Sequence, residues 1–276
     1  MDVVTCRMNY SMLDRSNAAV NIRLNSTVVH TVHMADSRAV DVTYVHKGKA
    51  HTVRADRCIM AGYNSAIPFI CPDLPEAQKA GLAYGVKAAL TYVKILVPNW
   101  RPFADLGLEF VYYTNDFYKQ VELDYPVSLG KYHRAQTPDD PMVLHMCHVH
   151  HSPDITGPEQ WREGRRKLLS TPFKVFEHHV RDQLDQALSS AGFDAENDIH
   201  AITVNRWPHG YAYSPGLIWE PEWATEADKP WVIGRKPFGR ITIANSDAGA
   251  SATTKSAIDQ AWRAVREPLS SKTPDR

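Results

Sequence analysis

Gly239-Arg240-Ile241-Thr242-Ile243-Ala244-Asn245-Ser246-Asp247-Ala248-Gly249-Ala250 decides how this chain is read. Ile241–Ala244 is a short β-branched run, which predicts a buried strand. The small and polar residues after it predict a loop, and from Thr253 onward Ala257, Ile258, Ala261, Trp262 and Val265 recur at helical spacing. A strand that passes through a small-residue loop into a helix exposes unpaired backbone N–H groups at the helix start. Those groups and the helix dipole favour an electronegative ligand atom. Asp247, at the end of the strand, is placed to accept hydrogen bonds from ligand hydroxyls. The alternative is a loop whose small residues merely turn the chain, with Asp247 as a helix-capping aspartate.

Working outward, Cys58-Ile59-Met60-Ala61-Gly62 reads as a second short apolar strand ending in small residues. Strands are also expected over Val20–Val32 and Val40–Val45, with a turn at Lys47-Gly48-Lys49. A short helix is expected from Leu74-Pro75-Glu76 to about Tyr84, with the proline in its first turn. Residues 86–97, 108–113, 120–123, 142–149 and 199–204 read as further strands. Phe173, Phe176, Val180, Leu184 and Leu188 predict a long amphipathic helix between Pro172 and Ala191. The loop after residue 204 is rich in Trp, Pro, Gly and Tyr. The class is α/β or α+β.

Composition narrows the function. The 276 residues carry 31 basic and 31 acidic side chains, and a neutral chain lacks the basic footprint of a nucleic-acid or anionic-membrane binder. No apolar run approaches the ~18 residues of a membrane span. Four scattered cysteines make neither a disulfide framework nor a zinc module. The compartment stays open between cytoplasm and periplasm.

The run from Gly239 to Ala248, followed by Ala257-Ile258-Asp259-Gln260-Ala261, resembles the C-terminal flavin-binding signature of flavin-containing amine oxidases. Thr203–Tyr213 resembles the segment upstream of it in bacterial spermidine dehydrogenase-like members. Leu24–Val29 resembles the strand whose valine meets the adenine, and Ala55–Gly62 the strand that returns beside the cofactor. The resemblance implies an α/β chain corresponding to the C-terminal portion of an FAD/NAD(P)-binding fold of amine oxidase type. It implies a mixed substrate-domain sheet with flanking helices and a strand–loop–helix FAD-binding tail. Residues 1–70 and 201–268 would be pieces of the FAD-binding domain, 71–200 the substrate-binding domain and 269–276 a disordered tail.

The implied cofactor is FAD and the implied substrate a small amine, a polyamine by the nearest resemblance, giving a hydride equivalent from its α-carbon to flavin N5. Cofactor contacts are implied for Val28, Ala61, Gly62, Trp207, Gly210, Asp247, Ala248, Thr253 and Thr254. Tyr211 and Tyr213 would form the aromatic wall at the substrate, and Lys94 would act at the flavin, with Lys87 as its competitor. Threonine at 253 departs from the aromatic residue that relatives often carry there. The family's GxGxxG phosphate loop has no counterpart, because no GxG triplet occurs among the fourteen glycines. The expectation is therefore a C-terminal part of a longer enzyme whose partner is a missing N-terminal nucleotide-binding half, or a non-catalytic remnant. A third reading rests on His145-Met146-Cys147-His148-Val149-His150-His151, where His148 and His150 share a strand face and would anchor a metal-binding module or hydrolase. The amine oxidase resemblance itself implies no metal.

Overall fold

A computed structural model describes residues 5–124, 127–215 and 220–270. The chain divides into two compact units, one built on Lys87–Gly210 and the other on Arg7–Val86 together with the chain from Tyr211 onward. Helix Glu76–Tyr84 packs on helix Pro230–Gly234 and so belongs to the second of these units, and the strand beginning at Ala201 runs on to Gly210, where the first ends.

The unit containing Arg7–Val86 opens with three antiparallel strands, β1 (Ser26–His33), β2 (Val40–His46) and β3 (Lys49–Ala55). Lys47 and Gly48 both have positive φ at the β2–β3 turn, the geometry that matches the right-handed twist of a two-residue hairpin. Strand β4 (Cys58–Met60) leads to the short helix α1 (Ile67–Ile70) and to α2 (Glu76–Tyr84). Later in the chain this unit adds α6 (Pro230–Gly234), β10 (Ile241–Ile243) and α7 (Thr254–Ser270). β10 pairs with β4 in parallel, Ile241 opposite Cys58 and Ile243 opposite Met60. Val40, Met60, Ile67, Leu82, Ile241 and Ile243 form its core. Gly81 lets α2 and α6 touch, since a Cβ there would meet the Pro230 carbonyl oxygen and the Gly234 nitrogen.

The Lys87–Gly210 unit is a five-stranded sheet in the order β6 (Phe110–Tyr112), β7 (Gln120–Leu123), β8 (Met142–His150), β5 (Ala88–Val97), β9 (Ala201–Gly210). Every pairing in it is antiparallel, so the mixture of strand directions expected here arises instead from the parallel β4–β10 pair. The short helix α3 (Arg101–Asp105) follows β5. Helices α4 (Pro158–Ser170) and α5 (Phe173–Leu188) pack against this sheet. Phe176, Val180, Leu184 and Leu188 of α5 are buried with Val93, Ile95, Leu144 and Met146 of the strands. Gln183, itself buried, exchanges both amide bonds with the backbone of Tyr118 at 2.8 and 3.0 Å. β9 is an edge strand, which is why Pro208 is tolerated inside it.

No helix among the described residues is long and apolar enough to cross a membrane. The tail expected from residue 269 falls mostly on 271–276, outside the described residues, while α7 itself runs to Ser270.

Candidate functional site

The parallel pair brings two loops together at its carboxyl end. β4 runs into Gly62 and Asn64, and β10 runs into Asn245 and Asp247. The Asn245 side-chain amide donates to the Gly62 carbonyl at 2.6 Å and to Asn64 Oδ1 at 2.8 Å. Its own Oδ1 accepts from the Ala248 N–H at 2.8 Å. One side chain thus ties the two strand ends to each other and to the following turn. Asp247 is 7% exposed and accepts long hydrogen bonds from the backbone N–H of Asn64, at 3.5 Å, and of Tyr213, at 3.3 Å. The left-handed backbone of Ala250 then turns the chain. Thr253 caps α7, its Oγ1 accepting from the Ser256 N–H and its carbonyl from the Ala257 N–H. Thr254 opens the helix, exposed.

Four aromatic rings gather beside Asp247. Tyr84 meets Tyr213 and Trp223 edge to face, both at 5.8 Å, and Trp231 lies 5.9 Å from Tyr213. Burial raises the Tyr84 phenol above its ordinary range, with Glu220 adding to it. A cavity of about 10 Å³ lies among Asn64, Gly81, Tyr84, Tyr213, Trp231 and Asp247, room for roughly one water. The Tyr213 hydroxyl is buried with no hydrogen-bond partner among the described residues, and such a group costs free energy until something meets it.

Of the residues singled out from sequence, Gly62, Tyr213, Asp247 and Ala248 lie in this neighbourhood. Ala61 is next to it and exposed. Tyr211 lies two residues before Tyr213, just after the end of β9. Its side chain is 63% exposed, on a backbone with φ 59°. Val28 lies on β1, 38% exposed, beside a register shift. Lys94, Trp207 and Gly210 belong to the other unit. Lys94 is ion-paired with Asp124, Trp207 is exposed on the edge strand, and Gly210 ends that strand. The competing Lys87 lies just before β5.

Sequence reasoning missed Asn64, Asn245 and Tyr84. The first two are ordinary loop asparagines until the strands pair, and Tyr84 is the last residue of a helix whose burial depends on α6. Only the position of Asn245, directly after a β-branched run, marked it.

The histidine cluster is differently built. His148 Nδ1 donates to the Phe117 carbonyl, and His150 Nε2 bonds Thr91 Oγ1 at 2.7 Å. Phe117 is stacked between His148 and His179, at 4.1 and 4.2 Å. Burial depresses His148 to about 4 and His150 to about 3, each neighbouring the other. These nitrogens are committed to the fold, and among the described residues no group of three or more His, Cys, Asp or Glu is placed to hold a metal ion. The metal-module reading finds no ligand set there.

Among the solved structures that this chain resembles are two amine oxidases. It is similar to cyclohexylamine oxidase from Brevibacterium oxydans IH-35A, with TM-score 0.59 and 14% identity over 88% of this chain and 48% of that one. It is also similar to wild-type putrescine oxidase bound to putrescine, with TM-score 0.56 and 16% identity over 89% and 48%. A redesigned triple mutant of putrescine oxidase gives TM-score 0.58 at 15% identity. The fold is the α/β architecture these structures share, and the chain spans about half their length. No protein-family model matches the chain, and no curated protein matches it in sequence.

Proposed function

We propose that this chain is the flavin-side and substrate-side portion of an FAD-dependent amine oxidoreductase. The observation that carries the reading is Asp247, a buried carboxylate at the carboxyl end of a parallel strand pair, which lines one small cavity with Asn64, Tyr84 and Tyr213. In open α/β sheets ligands bind outside the carboxyl ends of the strands. A buried carboxylate acceptor at that place suits the hydroxyls of a chain such as the ribityl of FAD. A cavity of about 10 Å³ does not take a ring system, so the group would be held from the rim. The first-turn N–H groups of α7, behind Thr253 and Thr254, would stabilise negative charge developing on a flavin carbonyl oxygen. When bound, the flavin supplies the two-electron acceptor for the α-carbon of an unprotonated amine, and the resulting imine is hydrolysed by water. Tyr211 and Tyr213 would wall the amine, and Lys94 is a candidate at the reacting centre. Val28, Ala61, Gly62, Trp207, Gly210 and Ala248 remain candidate cofactor contacts.

The absence of any GxG triplet and the half-length likeness support a nucleotide-binding segment outside these residues as the holder of the pyrophosphate. A spermidine-like specificity belongs to this proposal through the sequence resemblance alone.

Flavin titration tests the reading. The 276-residue chain should bind FAD weakly, and supplying a GxGxxG segment should raise the affinity. Asp247→Ala should then lower FAD affinity by about ten- to a hundredfold, the worth of a hydrogen bond to a buried charged acceptor. Wild-type affinity in that variant would reduce the loop to a chain turn.

A further inference from the structure

Residues 10–25 and the β2–β3 hairpin share a cavity of about 310 Å³ that the flavin reading leaves unused. Small-molecule sites begin at roughly 300 Å³. One wall is a loop closed on itself. Ile22 donates its N–H to the Leu13 carbonyl at 2.7 Å, and Arg15 its N–H to Asn21 Oδ1 at 3.0 Å. Arg23 fastens that loop to the sheet, ion-paired with Asp14 at 2.8 Å and donating to the Tyr44 hydroxyl at 2.6 Å. Tyr10, Ile22 and Leu24 rim the cavity and stand exposed. Apolar side chains gathered in solvent around a hollow mark a binding surface.

The hairpin supplies the polar groups. Tyr44 is opposite His51 in the register, and their rings lie nearly parallel, 5.4 Å apart at 20°. Asp14 and Arg23 cancel each other's charge. The Tyr44 hydroxyl accepts from Arg23, so its own hydrogen is left to donate. Neither nitrogen of His51 has a hydrogen-bond partner among the described residues, so this ring offers a donor too. Lys47, exposed at the turn, makes no ion pair among them. His46 is held by Nδ1, which donates to the Asn25 carbonyl at 3.1 Å, so its bare Nε2 gives an anion nothing.

The cavity thus joins an apolar rim and aromatic rings to a few free donors and one uncompensated positive charge, that of Lys47. A monoanion with a flat apolar body satisfies all of this. An ammonium group would meet Lys47 with like charge, and a phosphate monoester brings roughly two negative charges to a single cation. We propose that this cavity binds an aromatic carboxylate, its carboxylate on Lys47 and the Tyr44 hydroxyl, its ring against His51 and the apolar rim.

The site is tested on the full chain without flavin, by calorimetry and NMR titration with naphthoate, and with naphthamide as the neutral isostere. Saturable one-to-one binding of naphthoate, with the Tyr44 and His51 ring resonances shifted and naphthamide about tenfold weaker or worse, is the expected result. Lys47→Gln should weaken naphthoate about tenfold, and Lys47→Arg should keep most of the affinity. Tyr44→Phe, which keeps the ring and loses the donor, should weaken it severalfold. Lys174→Gln, exposed on α5 and equal in charge lost, should change nothing. Circular dichroism confirms that each variant is folded. Equal affinity for naphthoate and naphthamide, or undiminished binding by Lys47→Gln, overturns the site. Acetate shifting the same resonances at the same concentration would overturn the aromatic part of the assignment. Adenosine monophosphate competing more tightly than naphthoate would give the cavity to a nucleotide and overturn the carboxylate. None of these outcomes touches Asp247, so the flavin reading stands or falls separately.

Discussion

The two units spend their apolar residues in opposite ways. In the Lys87–Gly210 unit one wide antiparallel sheet and α5 enclose a continuous core, with nineteen buried side chains among the described residues. In the other unit nine buried side chains form the core. Ile59 of the two-stranded parallel sheet and Ile258, Trp262 and Val265 of α7 stand partly in solvent there. Parallel pairs are usually covered on both faces. A wide sheet supplies rigidity from its own ladder. A narrow one depends on single polar side chains such as Asn245 to hold its ends, and those ends are where the candidate cofactor site lies.

That contrast can be broken at its strongest point first. Phe176→Ala should cost about 3–5 kcal/mol, because a fully buried ring leaves a cavity the sheet cannot collapse into. Calorimetry should show the loss in the transition of the Lys87–Gly210 unit. An equal loss in both units would mean that they unfold as one.

Acid should attack the same unit next. The folded pKa values of His148 and His150, about 4 and about 3, lie below the ordinary histidine value. The unfolded chain therefore binds more protons below pH 6.5, and stability falls as pH drops from there toward 4. The combined loss should be on the order of 3 kcal/mol or more by pH 4. Denaturant melts at pH 7 and pH 4.5 would show it, and His148→Phe should flatten the slope. A pH-independent midpoint would place the two rings in water.

Gly81→Ala sharpens the other side of the contrast. Its Cβ would press on the backbone of α6, so the change should cost about 1–3 kcal/mol and disturb the ring cluster around Tyr84. Tryptophan fluorescence of Trp223 and Trp231 would report it, and an unchanged spectrum and midpoint would mean that the helices part easily. Trp262→Ala should do least. The ring is 60% exposed, with Arg266 over it at 4.1 Å, and the cost should stay within about 0.5 kcal/mol. A much larger loss in thermal melting would show that α7 buries its outer stripe in solution.

The sequence was most legible where residue types repeat with a structural period. The helix expected between Pro172 and Ala191 forms over Phe173–Leu188, and the run 239–266 folds as strand, loop and helix. Helix α4 was missed for a physical reason. Its inward residues are Gln160, Gly164 and Leu168, a stripe of which only one member is apolar. Gly164 is there because a Cβ would strike the backbone of His150. β1 begins later than expected, at Ser26, and β9 runs longer, through Trp207 and Pro208, because an edge strand accepts residues that a central one rejects. At the candidate site Asp247 was legible from its place after a strand. Of the surrounding rings, Tyr213 was singled out by its place in the motif, while Tyr84, Trp223 and Trp231 were not. Asn245, Asn64 and Tyr84 join the site through partners more than a hundred residues away, and no local pattern encodes that.

Asn245 has one more consequence. Its amide fixes three segments before any ligand arrives, so the turn at Asp247 has little freedom left to lose. Backbone amides of residues 247–250 should exchange slowly with deuterium in the ligand-free chain, and adding FAD should change their rates little. Asn245→Ala should speed that exchange and make cofactor capture more unfavourable in entropy, because ordering the turn would then coincide with binding.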